Sequence, residues 1–477
     1  MGHKPHHRIS TQLRFSFVFK MNYFFATIGT FSVLLLLFSA YSNINDLRYR
    51  TKTVVGHNLE PTPWHPFFGR TDKPTAFSLI QCSYFNSCPK PTFSRFIKPS
   101  HSFSANPLPS QCPSFFSSIH KDLAPWSQSG ISLPLIENAA RQHAAFRVVI
   151  KDSKVYVDLL YACVQSRMLF TIWGLLQLVQ RYPGLVPDVD MVFDCMDRPL
   201  VNRTWYAGHG AATPPPVFRY CTTKEHLDIP FPDWSFWGWP EVNIQPWEVE
   251  YKSIEKGSKA IKWKDRVKFA YWRGNPDVAS PLRVALMSCN DTEKWQAQIF
   301  RQDWIKESTV GYQSSKLSSQ CNYRYKIYAE GFAWSVSLKY ILACGSDTLI
   351  IEPQYEDFFS RGLIPKENFW PVRQTDLCQS IKEAVEWGNG NSSEAEAIGR
   401  RGQDLMRDIN IDRVYDYMFH LLVEYSELLD FKPKPPPSAQ EVCMDSLLCF
   451  ADARQREFLE RSVASPSKNY PCTLPPH

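Results

Sequence analysis

No Cys-x-x-Cys pair occurs among the 13 cysteines of this 477-residue chain. Cys82/Cys88 and Cys443/Cys449 are each six apart with no histidine cluster nearby, so the common zinc frameworks are excluded. No heptad pattern is sustained and no segment repeats, which excludes a coiled coil and a solenoid. Surplus charge is missing from most of the chain as well. The formal net charge is +6, but residues 1–20 hold Lys4, Arg8, Arg14 and Lys20 and no acid, leaving only +2 for everything after them. A near-neutral body offers no electrostatic footprint for nucleic acid. What is present, 44% apolar and 21% charged residues, is the balance of a folded protein. The length exceeds one ordinary core and predicts two domains or one two-lobed unit.

Charge is absent altogether from Met21 to Tyr41 (MNYFFATIGTFSVLLLLFSAY). A helix of that length spans about 30 Å, enough for the hydrocarbon core of a bilayer. The flank before it is basic and the flank after it is mixed (Asp46, Arg48, Arg50), which predicts a cytosolic tail at 1–20, a signal anchor at 21–41 and a lumenal body. A cleaved signal peptide is the alternative; the long polar lead and the length of the apolar run speak against it. Asn202-Arg203-Thr204, Asn290-Asp291-Thr292 and Asn391-Ser392-Ser393 are N-glycosylation acceptor triplets, and every cysteine from Cys82 to Cys472 follows the apolar run, both consistent with an oxidising lumen. Small disulfide loops at Cys82/Cys88 and Cys443/Cys449 are expected. The odd count leaves at least one thiol unpaired within the chain.

Residues 42–110 are rich in Pro, Ser and Thr and read as a stem. Globular pattern starts at Cys112. Phe146–Ile150 and Val155–Val157 flank Lys151-Asp152-Ser153 as a hairpin, and Met168 to Val179 carries helical spacing that ends at Pro183-Gly184. A short strand begins at Asp190. Ile229–Trp239 (IPFPDWSFWGW) packs aromatics between prolines and is either a sugar- or peptide-stacking platform or a buried corner. A second unit begins near Lys264: strand Val267–Trp272, a loop at Arg273–Pro276, and helices at Pro281–Ser288 and Lys326–Ala343. Strand Thr348–Ile351 follows, then helices at 374–388, 394–407 and 411–430, before the Pro-rich stop at 433–437. Strands alternating with helices predict an α/β fold, with an N-terminal lobe at 111–263, a C-terminal lobe at 264–432 and a Cys/Pro-containing tail at 433–477.

Tyr271–Pro276 (YWRGNP), Tyr325–Ser346 (YKIYAEGFAWSVSLKYILACGS) and Met196–Pro199 (MDRP) carry a resemblance. Together they resemble the Rumi/protein O-glucosyltransferase family, also described as the capsule-associated-protein family. Cys112–Gly130 and Ser462–Pro476 are similar to its plant branch, the O-glucosyltransferase rumi homologues. The similarity spans roughly residues 110–475. It implies a GT-B fold of two facing Rossmann-like lobes, with the nucleotide sugar held mainly by the C-terminal lobe. It also implies inverting transfer of glucose or xylose from a UDP-sugar to a protein Ser/Thr or glycan hydroxyl, with no metal required, in the Golgi or endoplasmic reticulum.

Under that resemblance the leaving diphosphate must meet cations or preorganised donors. Arg273 follows a strand expected to be buried, where parallel sheets place ligands, and is the candidate diphosphate contact; Gly274 would let the backbone come close. Ser335, Ser337 and Lys339 match family positions near the nucleotide. The acceptor hydroxyl needs a general base on the opposite face of the sugar. Asp158 is the candidate base, and Asp197, at the end of a strand, is the second acid, better suited to orienting the acceptor. Met168 and Leu338 stand where acids are common in the family. They leave open an alternative: a lumenal binding protein that keeps the fold without turnover.

Overall fold

The computed structural model describes residues 110–476 apart from His209. The expected tail at 1–20, membrane segment at 21–41, nearly all of the stem, and Cys82 and Cys88 lie outside the described residues. Among the described residues no helix is long and apolar enough to cross a membrane.

The first sheet starts with the expected hairpin. β1 (Phe146–Lys151) and β2 (Lys154–Leu159) are antiparallel and joined by Asp152 and Ser153, both at positive φ, the geometry of a tight two-residue hairpin. β3 (Val189–Phe193) runs antiparallel to β1, and β4 (Val217–Arg219) and β5 (Ile229–Pro230) continue parallel from it. β1 and β3 are buried on both faces because both are covered, and the charged residues Arg147 and Asp190 pair with each other on one of those faces. The Leu133–His143 helix packs by β3, and the Arg167–Arg181 helix buries Leu169, Phe170, Ile172 and Trp173. Gly174 in the latter helix sits where a Cβ would lie 2.4 Å from the Trp237 ring, so only glycine lets the indole seat there. The aromatic stretch Ile229–Trp239 is the buried corner of the two readings: Trp234, Phe236 and Trp237 are all at most 1% exposed.

The second sheet is wholly parallel. β6 (Val267–Gly274), β7 (Ala297–Arg301), β8 (Tyr323–Tyr328), β9 (Asp347–Ile351) and β10 (Trp370–Val372) lie in the order β10-β9-β8-β6-β7. This is a doubly wound order in which the chain goes from β6 to one side and later resumes on the other, so the switch point falls between β6 and β8. The helix expected over Lys326–Ala343 is here corrected. Tyr323–Tyr328 is a buried strand, 329–336 is a loop, and only Ser337–Leu342 is helical. Alternating Tyr323, Tyr325 and Ile327 fit a central strand, and burial on both faces overrides the local helical spacing.

The expected lobe boundaries also move. The Trp247–Ala260 helix already joins the second lobe, with Ser258 Oγ donating to Cys344 O at 2.7 Å. The Ile411–Glu427 helix returns to the first: Tyr425 OH donates to Asp190 O at 3.0 Å and Trp237 Nε1 to Tyr415 OH at 2.9 Å. The segment expected as a separate tail completes the first sheet. Its strand β11 (Gln440–Val442) pairs antiparallel with β2, and Cys472 is bonded to Cys112. Three further disulfides join Cys163–Cys195, Cys289–Cys378 and Cys321–Cys344, and Cys443 and Cys449 are each in a disulfide. Among the described residues the free thiol is the buried Cys221.

Candidate functional site

In an open parallel sheet the ligand crevice lies beyond the carboxyl ends of the strands at the switch point. Here that point is bounded by Arg273-Gly274 at the end of β6 and by the 329–336 loop after β8. Arg283, on the short Pro281–Met287 helix, ties these segments together. Its Nη1 donates to Asn275 O (3.0 Å), its Nε to Glu330 O (3.1 Å), and its Nη2 to Ala329 O and Ser335 Oγ (both 3.1 Å). Ser335 Oγ in turn lies 2.9 Å from Ser337 Oγ, and Ser335 N donates to Tyr328 OH at 3.0 Å. All hydrogen-bond partners of the Arg283 guanidinium are neutral oxygens, and the Glu330 carboxylate acts on it only through space. Desolvation draws the Arg283 guanidinium down to about 10, leaving it charged at neutral pH. Glu330, 6% exposed, is raised to about 7 by burial despite accepting from Gln354 N and Tyr355 N.

Ser335 and Ser337 stand together, and Arg283, which the sequence reading did not single out, is hydrogen-bonded to Ser335. A signal for it existed. A cation in the first turn of a helix that opens with Ser280 as cap and Pro281 opposes the usual acidic preference there. Arg273 is differently placed. Its Nε donates to Gln302 Oε1 at 2.5 Å and its Nη2 lies 3.6 Å from the buried Glu307, beyond β7. Gly274 has a local reason for being glycine, since a Cβ there would fall 2.4 Å from the Trp272 indole.

Lys339 lies in the interior. The expected nucleotide contact is 1% exposed and its Nζ donates to Asp233 Oδ2 at 2.9 Å, a buried ion pair between the lobes, with the Phe236 ring 4.6 Å away. Leu338, 3% exposed, and Met168 both pack in the hydrophobic core. An apolar residue at these two positions therefore fills the interior.

Across from the 329–336 loop stands the segment after β3, held rigid by a charge network. Asp194 accepts from Tyr161 OH at 2.5 Å and from Met196 N at 3.0 Å, and pairs with Arg219. Arg219 also pairs with Asp228 at 2.9 Å and donates to Met196 O and Arg198 O. Asp228 accepts from Leu200 N at 3.0 Å and Val201 N at 2.8 Å. These contacts converge on the backbone between Asp194 and Val201 and fix it. Two side chains project from it. Asp197 is bound through Oδ1 by Arg167 Nη1 at 2.6 Å, while Oδ2 has no hydrogen-bond partner among the described residues; the side chain is 32% exposed. Arg167 is itself set by Cys195 O at 3.0 Å and by the Trp234 ring at 4.3 Å. Arg198 reaches the other lobe, its Nε donating to Phe332 O at 3.2 Å and its guanidinium 4.0 Å from the Phe332 ring. Asp158 lies elsewhere: mid-strand in β2, opposite Arg147, half-buried, and accepting from Ser438 Oγ at 2.8 Å. The two candidate acids are thus on different parts of the first lobe, and Asp197 is the one on the segment that meets the 329–336 loop.

Comparison with known proteins adds the following. The family described as Glycosyl transferase family 90 matches residues 108–477. O-glucosyltransferase rumi of Drosophila melanogaster is 26% identical over 344 residues, covering 70% of this chain and 81% of that protein. Protein O-glucosyltransferase 1 of Homo sapiens is 26% identical over 335 residues, covering 67% and 81%. Among solved structures, the pneumococcal O-GlcNAc transferase GtfA in complex with UDP and GlcNAc matches 34% of this chain and 37% of its own, at 8% identity and a TM-score of 0.23. The match over residues 108–477 spans the whole of both sheets and the returning tail: the chain belongs to glycosyl transferase family 90.

Proposed function

We propose that this glycosyltransferase moves a sugar, glucose first and xylose second, from a UDP-sugar to a hydroxyl of a protein Ser/Thr, with inversion at the sugar carbon. The two sheets are read as the facing lobes of a GT-B-like enzyme. The observation that carries the proposal is the meeting of two loops, one from each lobe. The 329–336 loop at the switch point of the parallel sheet carries the Arg283–Ser335–Ser337 cluster, and the segment after β3 carries Asp197 and Arg198. The relatives named as O-glucosyltransferases support glucose as the donor sugar, and the human one a protein acceptor.

The chemistry follows from charge. As the bond between sugar and diphosphate breaks, negative charge grows on the diphosphate, and a cation fixed beforehand lowers that barrier without reorganising. Arg283 is that cation, with the Ser335 and Ser337 hydroxyls as donors. Asp197 takes the acceptor proton through its free Oδ2; Arg167 holds the carboxylate in place. This exchanges the roles expected from sequence, where Asp158 was the base. The reading includes no metal and expects turnover to survive chelation. It also places the body in an oxidising lumen, behind a membrane anchor at 21–41 in the Golgi or endoplasmic reticulum; the disulfides support that compartment. Incubating the full chain with UDP-glucose and UDP-xylose, with and without chelator, and following UDP release and product mass tests it. No turnover of either donor over a panel of protein acceptors overturns it.

A further inference from the structure

Beside the segment that carries Asp197 lies a second, separate concavity. Cys221 Sγ donates to Asp197 O at 3.2 Å, and the next residue, Thr222, lines a cavity of about 100 Å³ between the lobes. Thr222 is joined to Glu356 of the second lobe by backbone hydrogen bonds of 2.9 Å in both directions, so the cavity straddles the same interface as the candidate site. The Thr222 hydroxyl is 4% exposed and has no hydrogen-bond partner. A buried hydroxyl left unpaired is costly, and in a polar cavity it marks a place for a ligand atom.

The charges around it do not cancel. The acids lining the cavity already have partners: Asp122 and Glu356 pair with Arg361, and Asp228 pairs with Arg219. Lys121, Arg203 and Lys224 also line it, are exposed, and form no ion pair among the described residues. Glu225, next to Lys224, is held by Thr223 Oγ1 at 2.8 Å outside the lining. Because Arg361 is shared by Asp122 and Glu356, the lining carries four cations against three acids, a small positive excess, together with one orphan hydroxyl: a donor set for a carboxylate.

We infer that this cavity takes an acidic side chain of the polypeptide acceptor, an Asp or Glu near the hydroxyl to be modified. A carboxylate on a slender methylene stem fits a cavity of about 100 Å³, and a polypeptide acceptor supplies one; an acidic sugar is the other source of the same group. The inference rests on the protein-acceptor reading above and makes it more specific: the acceptor is chosen in part by an acid beside the modified residue.

The test is a binding titration on the full chain with no donor sugar. The probes are capped tetraglutamate, capped tetraglutamine and trigalacturonate, and UDP affinity is measured on the same samples. Tetraglutamate is expected to bind at least about tenfold tighter than tetraglutamine, with trigalacturonate no better than the latter. Arg203→Ala with Lys224→Ala should abolish the preference, and so should Thr222→Val, whose melting temperature reports that the fold is kept. UDP binding should be unchanged in both. Equal binding of the two peptides, a preference that survives in the variants, or tighter binding of trigalacturonate overturns the inference. Absence of UDP binding in the unaltered chain overturns the donor reading instead, so the two failures are distinct.

Discussion

Replacing Asp197 by asparagine separates the two candidate bases. The change keeps the shape of the side chain and an oxygen for Arg167 Nη1, which now lies 2.6 Å from Oδ1. It removes the charge and the capacity of Oδ2 to take a proton. The carboxylate is one-third exposed, and Arg167 retains Cys195 O and the Trp234 ring, so the loss in folding stability should be about 1 kcal/mol. Loss of a positioned general base costs about 10²–10⁴ in rate, or about 3–5 kcal/mol of barrier. The expected result for Asp197→Asn is therefore a melting temperature lowered by a few degrees at most, unchanged UDP affinity, and kcat reduced at least about a hundredfold. Asp158→Asn alters a half-buried side chain whose recorded hydrogen bond comes from Ser438. It should leave both stability and kcat near the parent values, within about 0.5 kcal/mol for folding. UDP release from UDP-glucose under saturating acceptor, with melts of the same samples, reads both. If Asp197→Asn keeps kcat within about threefold of the parent while Asp158→Asn loses a hundredfold, the base is on β2 and the geometry has been misread.

Three further outcomes test other parts of the site. Arg283→Lys keeps a charge but loses the fork that reaches Asn275, Glu330, Ala329 and Ser335, so kcat should fall about a hundredfold while KM for the acceptor holds; unaltered kcat would remove Arg283 from the diphosphate site. Asp347 is 1% exposed with both carboxylate oxygens unpaired, and burial raises it from 3.8 to about 8. Between those values the folded chain holds a proton that the unfolded chain has released, so stability falls as pH rises, by about 1.4 kcal/mol per pH unit from this residue. The stability difference between Asp347→Asn and the parent should therefore shift by about 2 kcal/mol in the variant's favour from pH 6 to 7.5, measured by urea midpoints; a difference that does not change with pH refutes it. Replacing Cys163 and Cys195 by serine frees the loop after β2 from the segment carrying Asp197, with a sequence separation of 32 residues, and should cost about 3 kcal/mol and lower kcat; a variant as stable and active as the parent would show that this bridge does not hold the site.

Much of the scaffold was legible because it rests on local signals. The hairpin at Asp152-Ser153, the apolar runs of β6 and β9, and the amphipathic helices toward the C-terminus all appear near their expected places. β8 was not, because Tyr323–Tyr328 runs without a turn residue into a stretch with helical spacing, and only its position between β6 and β9 makes it a strand. The site divides in the same way. Ser335 and Ser337 are near neighbours in sequence and are near neighbours in space. Lys339 looked like a cation for a ligand because sequence does not show Asp233, 106 positions away, waiting in the other lobe. Arg273 and Arg283 both follow β6 within one short stretch, and which guanidinium turns toward β8 depends on Gln302 and Glu307 drawing Arg273 the other way. Asp197 gained over Asp158 for a similar reason: its orientation depends on Arg167, Arg219 and Asp228, which converge from three separate segments.

The contacts between the lobes explain why donor and acceptor groups can be carried on different sheets at all. Lys339–Asp233 and Arg361–Asp122 are both buried ion pairs, and each joins a residue of the second lobe to one near the first. Such pairs add little net stability compared with apolar residues of the same size, because desolvating two charges offsets most of their attraction. Breaking one, however, leaves a bare buried charge, so slipped arrangements of the lobes are penalised far more than the native one is favoured. The Ile411–Glu427 helix and β11 reinforce this by returning the chain to the first lobe, and Cys112–Cys472 closes the circuit covalently. Replacing Lys339 with methionine alone should therefore destabilise the chain by about 3 kcal/mol or more, with Asp233 left unpaired. Pairing it with Asp233→Asn should recover most of that stability. If the two lobes keep their register through packing alone, the double variant will also recover kcat; if the ion pair sets the register, stability returns and kcat does not.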